Sequence, residues 1–258
     1  MRTTIISKLL LLAAVFPVFA ADPAQLNTLT AAETAAGWRL LWDGQTTDGW
    51  RSPKSDAFPK QGWSIKDGVL TVHDNKGEES AGGGDIITKE RFPEFELLVD
   101  FKLTPGANSG IKYFVQPNLT PIDKKTGQPT GVGSAIGLEF QILDDERHPD
   151  AKLGRDGNRT IGSVYDLLAA SPSKKPSAIG EWNTARIVVR GKHVEHWLNG
   201  KLVVEYERGT PEFRAVVAQS KFKNIPDFGE WADGHILLQE HGNKVSFRNL
   251  KIHVPTGK

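Results

Sequence analysis

Between Phe95 and Leu103 the side chains alternate. Phe95, Leu97, Val99, Phe101 and Leu103 fall on one side and Glu96, Asp100 and Lys102 on the other, with Leu98 the one break. A period of two sustained over this length predicts a strand with one face in a core, and it does not fit a helix. The same signal recurs along the chain. Trp63-Ser64-Ile65 and Val69 to Val72 form a hairpin around Lys66-Asp67-Gly68. Ile187 to Arg190 pairs with His193 to Leu198 about Gly191, and Asn199-Gly200 is a two-residue turn signal leading into Leu202 to Tyr206. Trp38 to Trp42 reads as a further strand. Ile236 and Leu238 face one way, and Leu237, Gln239 and His241 the other. In the last strand Val245 and Phe247 are out of parity with Leu250, Ile252 and Val254, which predicts a bulge near Arg248-Asn249. One short helix is expected from Thr210 to Phe222, with Thr210 as cap and Pro211 in the first turn. The fold class that follows is all-β, an antiparallel jelly-roll β-sandwich.

The chain opens Met1-Arg2-Thr3-Thr4, with Lys8 close behind, then runs apolar from Leu9 to Val15 and ends that stretch in Val18-Phe19-Ala20. This order predicts a secretory signal over residues 1–20, too short to span a membrane comfortably. The expected organisation is a signal peptide at 1–20, a lead-in at 21–36 and a single domain at 37–258. In the lead-in, Thr30 and Glu33 have the spacing of a capped helix start. Export places the protein in the periplasm or outside the cell. There is no cysteine to carry a disulfide or a lipid anchor. The 32 Lys and Arg against 31 Asp and Glu become slightly acidic once Arg2 and Lys8 are removed. This balance gives no footprint for nucleic acid or an anionic membrane, and no other segment predicts membrane insertion. Oligomeric state has no signature.

In Gly137-Leu138-Glu139-Phe140-Gln141-Ile142-Leu143-Asp144, three large apolar groups share one face while Glu139 and Gln141 share the other. Glu139 and Gln141 therefore face away from the core, as do Gln239 and His241, and Asn108 joins them if Ile111, Tyr113 and Val115 are buried. Three strands donate polar groups to an outer face, which becomes a floor for a hydroxylated ligand only if the strands are neighbours. An ordinary half-exposed strand is the plainer reading of any one of them. Connections at 118–134 and 145–180 flank the Glu139 strand and suit a rim or lid. At the start of the second, Asp144 just before it and His148 within it are oxygen and nitrogen donors that a divalent cation could use, although the spacing fits a solvated acidic loop better. Gly82-Gly83-Gly84 is not a phosphate loop, since no helix or lysine follows at the required distance. No serine-hydrolase elbow, zinc signature or dinucleotide fingerprint occurs, so no organic cofactor is expected.

Asn108-Ser109-Gly110-Ile111, Glu139 to Asp144, Gly162-Ser163-Val164-Tyr165-Asp166-Leu167, Glu181-Trp182-Asn183, His196 to Gly200, Gly234 to Gly242 and Phe247-Arg248-Asn249 occur in this order. Together they resemble the 3-keto-disaccharide hydrolase family, from about Gly37 to the end. The resemblance implies a concanavalin A-like lectin/glucanase sandwich and a bacterial envelope enzyme acting on sugars oxidised at C3. Glu139 to Asp144 is similar to the carboxylate strand of laminarinase-like glucanases. However, Gln141 replaces the middle acid, which sets the two-carboxylate retaining mechanism in doubt. A C3 ketone acidifies the C2 proton, so a base can remove it and the C1 substituent can leave by elimination, followed by hydration. The catalytic set is then Glu139, Asp144 and His241, with Glu139 or His241 as base. Asp144 serves as acid if burial raises its pKa, or His148 does. Asn108, Gln141, His148, Tyr165 and Gln239 are the expected substrate-binding residues. A non-catalytic carbohydrate-binding module, with Trp50, Trp63 and Trp231 as platforms, and a conventional glycosidase are the competing readings.

Overall fold

The computed structural model describes residues 26–119 and 134–255. The predicted leader at 1–20 and most of the connection at 118–134 lie outside the described residues. In chain order the elements are α1 (Ala31–Ala35), β1 (Trp38–Leu40), β2 (Trp50–Arg51), β3 (Trp63–Lys66), β4 (Val69–Val72), β5 (Ile86–Thr88), β6 (Phe95–Leu103), β7 (Asn108–Gln116) and β8 (Ile136–Leu143). They continue with β9 (Trp182–Arg190), β10 (His193–Leu198), β11 (Lys201–Glu207), α2 (Pro211–Ala218), β12 (His235–Leu238) and β13 (Val245–His253). All strand pairing is antiparallel. One sheet runs β11-β10-β9-β6-β13-β4-β3, with β1 also beside β13; the other runs β2-β5-β12-β7-β8. The sandwich expected from the alternation is the fold observed.

The alternating face of β6 supplies the core: Phe95, Leu97, Val99, Phe101 and Leu103 are buried, while the residues between them are half-buried. Across the interface Phe101 meets Phe140 of β8 edge to face, with ring centroids 6.4 Å apart. That contact fixes which face of β8 looks inward, and it turns Glu139 and Gln141 outward. Asn199 and Gly200 take positive φ (50° and 76°) in the tight β10–β11 turn, as the two-residue hairpin requires. The bulge expected in β13 is present between Arg248 and Lys251, with Asn249 at φ 52°. Asn27 and Asn249 exchange reciprocal backbone-to-side-chain hydrogen bonds there, at 2.7 and 2.9 Å, which ties the lead-in to the domain. Helix α1 carries the predicted capping box, Thr30 with Glu33.

Four expectations are corrected. In β7 the register shifts between Tyr113 and Gln116, and Phe114 takes φ 53°. The bulge puts Phe114 in the core and turns Val115 onto the outer face beside Ile87 and Leu237. Helix α2 stops at Ala218, so Phe222 follows it in a turn. Trp50 and Trp63 are core residues, not sugar platforms. Finally, β8 is buried along its whole length, not half-exposed. The cause is the 145–180 connection, whose Gly162–Tyr165 stretch bonds along the free edge of β8. Gly162 N donates to Gln141 O (2.9 Å), Gln141 N to Ser163 O (3.1 Å) and Tyr165 N to Glu139 O (3.0 Å). Covering an edge strand in this way also protects it from pairing with another chain.

Two polar locks hold these loops. Buried His196 sits 3.0 Å (Nδ1) from Gly162 O and 2.8 Å (Nε2) from Tyr113 Oη, which is itself 2.8 Å from Tyr206 Oη. Burial depresses the His196 pKa to about 4, so the ring is neutral, with Nδ1–H donating and Nε2 accepting. The second lock is Glu240, fully buried after β12. Its Oε2 accepts from Gly82 N (3.2 Å) and Gly84 N (3.1 Å), and its Oε1 from Gly242 N (2.7 Å). The glycine loop thus cradles a carboxylate of its own chain. Gly83 admits no side chain, because a Cβ would lie 2.1 Å from Gln61 O.

Replacing Glu240 by Ala strands three N–H groups. It is expected to lower unfolding stability by about 3 kcal/mol or more, measured by urea denaturation; a loss below about 1 kcal/mol would show that the lock is dispensable.

Candidate active site

The three strands that the polar-floor reading needed are neighbours. β7 lies between β12 and β8 in the smaller sheet. Gly110 pairs with Gln141 and Lys112 with Glu139, while Gln239 N donates to Gly110 O at 3.0 Å. Asn108, Gly110, Lys112, Glu139 and Gln141 therefore share the outer face. Gly110 is what lets Glu139 lie down on the sheet: a Cβ at Gly110 would come within 2.1 Å of Glu139 Oε1.

Glu139 is 5% exposed, and its carboxylate accepts no hydrogen bond among the described residues. Among the described residues the nearest cation is Lys112, with Nζ 3.8 Å from Oε2. Burial pushes the Glu139 pKa up. Lys112, Lys221 and His241 oppose that push, Asp85 adds to it, and the net direction is upward. Lys221 is open to solvent but densely surrounded. Desolvation presses its pKa down against the pull of Glu139, and its Nζ sits 4.2 Å from the centre of the Tyr165 ring. Tyr165 is half-buried; burial first, then the charges of Glu139 and Asp150, hold its hydroxyl above the ordinary tyrosine range. Arg159 clasps Asp150 (2.8 Å) and Asp166 (2.7 Å), with its guanidinium 5.3 Å from the centre of the Tyr165 ring.

The rest of the floor is a polar chain. Gln141 Nε2 donates to Asn108 Oδ1 and Asn108 Nδ2 to His241 Nε2, both at 3.3 Å. Those amide directions make His241 Nδ1 the protonated ring nitrogen. Five buried side-chain atoms among the described residues lack a partner, and four are here: Gln141 Oε1, Gln239 Oε1, Asp150 Oδ2 and His241 Nδ1. Buried polar atoms are normally satisfied, so a cluster of exceptions marks a network that a ligand or water would complete. His148 stands edge to face with His241, centroids 6.1 Å apart. Its Nδ1 accepts from Asp150 N at 3.2 Å, and burial together with His241 lowers its pKa. His148 is thus a neutral ring whose Nε2 carries the proton.

The structure brings Glu139, His241, Asn108, Gln141, Gln239, Tyr165 and His148 around one floor. Asp144 is excluded as the acid. Burial raises its pKa, but Gly106 N (2.8 Å to Oδ2), Arg147 Nη1 (3.2 Å to Oδ2) and the N–H groups of Glu146 and Arg147 on Oδ1 outweigh that, holding the carboxyl below its ordinary range. Asp144 organises its loop. The same bonds make it a poor cation ligand beside a guanidinium, and His148 Nδ1 is occupied, so the Asp144–His148 pair does not fit a divalent ion. Sequence reading missed Lys112, Lys221, Arg159 and Asp150. Lys112 was within reach, since it alternates with Ile111 and Tyr113. Lys221 falls inside the 210–222 segment expected to be helix; α2 ends before it, and the turn carries it to the groove.

Gly110→Ala is expected to fold and to lift the Glu139 side chain off the sheet, bringing its pKa down toward the ordinary glutamate value. Carboxyl-carbon NMR titration measures this, and an unchanged Glu139 titration would contradict the recess.

The family model described as the 3-keto-alpha-glucoside-1,2-lyase-like domain matches residues 37–253. A 3-keto-disaccharide hydrolase of Bacteroides thetaiotaomicron is 36% identical over 244 residues, spanning 90% of this chain and 83% of the relative. A crystal structure described as a candidate glycosyl hydrolase from Parabacteroides distasonis superposes with TM-score 0.71 at 27% identity, covering 90% of this chain and all of the other. A second from the same organism gives TM-score 0.59 at 29% identity, over 84% and 99%. On the extent of the family match and of the 36% relative, the chain belongs to the 3-keto-alpha-glucoside-1,2-lyase-like family.

Proposed function

We propose that this chain cleaves glycosidic bonds of 3-keto-glycosides, 3-keto-disaccharides among them, by elimination. Glu139 takes the C2 proton, the electron pair forms the enolate of the C3 ketone, and the enolate expels the C1 oxygen. His148 Nε2–H hydrogen-bonds that leaving oxygen, which takes its proton from a water molecule, and the Glu139 carboxyl returns its proton to the resulting hydroxide. Water adding across C1 and C2 gives hydrolysis; release of the unsaturated ketone gives a lyase. Lys221 and Lys112 hold positive charge where the enolate develops. Asn108, Gln141, Gln239, His241 and Tyr165 bind the hydroxyls and the ketone.

One observation carries this reading: among the described residues, a buried carboxylate that accepts no hydrogen bond, raised in pKa, sits beside two lysines on a floor of unpartnered polar atoms. A carboxylate whose charged form is disfavoured in this way is a stronger base than an exposed one. A conventional retaining glycosidase needs a second carboxylate about 5 Å away across the scissile bond. Asp144 is committed to its loop, and Asp85 lies behind Ser134. The lectin reading loses two of its three aromatic platforms, since Trp50 and Trp63 are buried. The family match and the named relative support the choice of 3-keto sugars. The basic-then-apolar start supports an exported enzyme, periplasmic or extracellular.

Incubating the protein with 3-keto-trehalose, 3-keto-glucosides and their unoxidised parents, with and without chelator, tests the substrate. Cleavage of the keto forms alone is expected. Equal cleavage of the parents would mean a conventional glycosidase, and binding without turnover a lectin.

The base has its own test. Glu139→Gln should lower kcat by about 10²–10⁴-fold. Because the base works ionised, kcat/KM should rise with pH through an acid limb set above the ordinary glutamate range. A full rate in Glu139→Gln removes this residue from the mechanism.

A further inference from the structure

Behind Glu139 lies a second buried carboxylate, which the elimination scheme does not use. Asp85 precedes β5 and is 3% exposed. Its Oδ1 accepts from Glu240 N at 2.9 Å, and its Oδ2 from Ser134 Oγ at 2.6 Å and Ala135 N at 3.3 Å. The Ser134 hydroxyl has only one proton, and Asp85 takes it, so Ser134 Oγ is left as an acceptor. Lys112 Nζ fills that role at 2.5 Å and also donates to Ala135 O at 3.2 Å. The same ammonium is 3.8 Å from Glu139 Oε2, beyond hydrogen-bond reach. Lys112 is therefore leashed toward Asp85 and withheld from full contact with Glu139.

We propose that Asp85 and Ser134 are positioning residues which, by anchoring the Lys112 ammonium between two buried carboxylates, set how readily Glu139 gives up and takes back a proton. This rests on Glu139 being the base. A carboxylate tightly paired with lysine would be a weak base, and one left alone in the interior would stay protonated. An ammonium held at an intermediate distance by a second acid gives a value between those extremes. The groups facing Glu139 are Lys112 from β7, Lys221 after α2, His241 after β12, Tyr165 from the 145–180 connection and Asp85. Of these, Lys112 and Asp85 pull in opposite directions, the lysine down and the aspartate up.

The opposed signs make the test. Asp85→Asn keeps the shape, removes the repelling charge and frees Lys112 to act on Glu139. The acid limb of kcat/KM on a 3-keto-glucoside should move down by about half a pH unit or more. Lys112→Met removes the attracting charge, and the limb should move up by a similar amount. A purely structural network would change thermal stability in both variants and leave the limb where it is. Limbs within about 0.2 units of wild type in folded Asp85→Asn and Lys112→Met, or both moving the same way, overturn the proposal. Glu139→Gln, assayed alongside, separates the two failures. If it is inactive while the limbs stay put, the base reading stands and the positioning role falls; if it is active, the base reading itself falls.

Discussion

Withdrawing a carboxylate from water without hydrogen-bonding it is costly, and Glu139 is held in that way, with no hydrogen bond to its carboxylate among the described residues. An isolated ion in such a place would cost many kcal/mol and would normally shed its charge. Here the cost is contained by two lysines that come from different parts of the chain, one on the next strand and one beyond α2. The other side of the same strand makes this possible. Leu138, Phe140 and Ile142 are fixed in the core, so the outward direction of Glu139 is set by packing. Gly110 then supplies the recess in which the carboxylate lies.

The groove depends equally on loops that are held rigidly. His196, a core histidine on the opposite sheet, reaches through the sandwich to Gly162 and pins the stretch that closes the edge of β8. Tyr165 and the Arg159 clasp hang from that stretch. Glu240, held in its glycine cradle, fixes the turn that presents Gln239 and His241. Both devices use buried polar groups with their bonds satisfied. The floor of the groove uses polar groups whose bonds are left open. That contrast separates scaffold from site.

Much of this was legible because period-two alternation is a local signal. The β6 and β13 patterns, the bulge at Asn249, the turn at Asn199-Gly200 and the outward faces of Glu139, Gln141, Gln239 and His241 all follow from neighbours in sequence. What was not legible depends on long-range choices. That β12, β7 and β8 lie side by side is a fact of topology. Val115 changes face because Phe114 bulges, and no single position announces that. The burial of β8 comes from the Gly162–Tyr165 stretch, which returns to it from well inside the following connection. Asp144 was expected as an acid if burial raised its pKa; three hydrogen bonds from its own loop and one from Gly106 in the β6–β7 turn decide otherwise. The carboxylates around His193, Glu195, Glu205 and Glu207, are likewise brought together by strand pairing, two of them coming from the adjacent strand.

Carbon 2 of the product holds the most direct record of what Glu139 does. If the C2 proton is removed and water later adds across C1 and C2, reaction in D2O must leave deuterium at C2 of the released 3-keto sugar. Mass spectrometry and proton NMR of product quenched early, corrected for exchange of substrate and product incubated without enzyme, would read this. The account predicts one deuterium at C2 per turnover, or an unsaturated product lacking the C2 proton. Release of 3-keto sugar with C2 still fully protonated would mean direct displacement at C1, and the role given to Glu139 would be wrong.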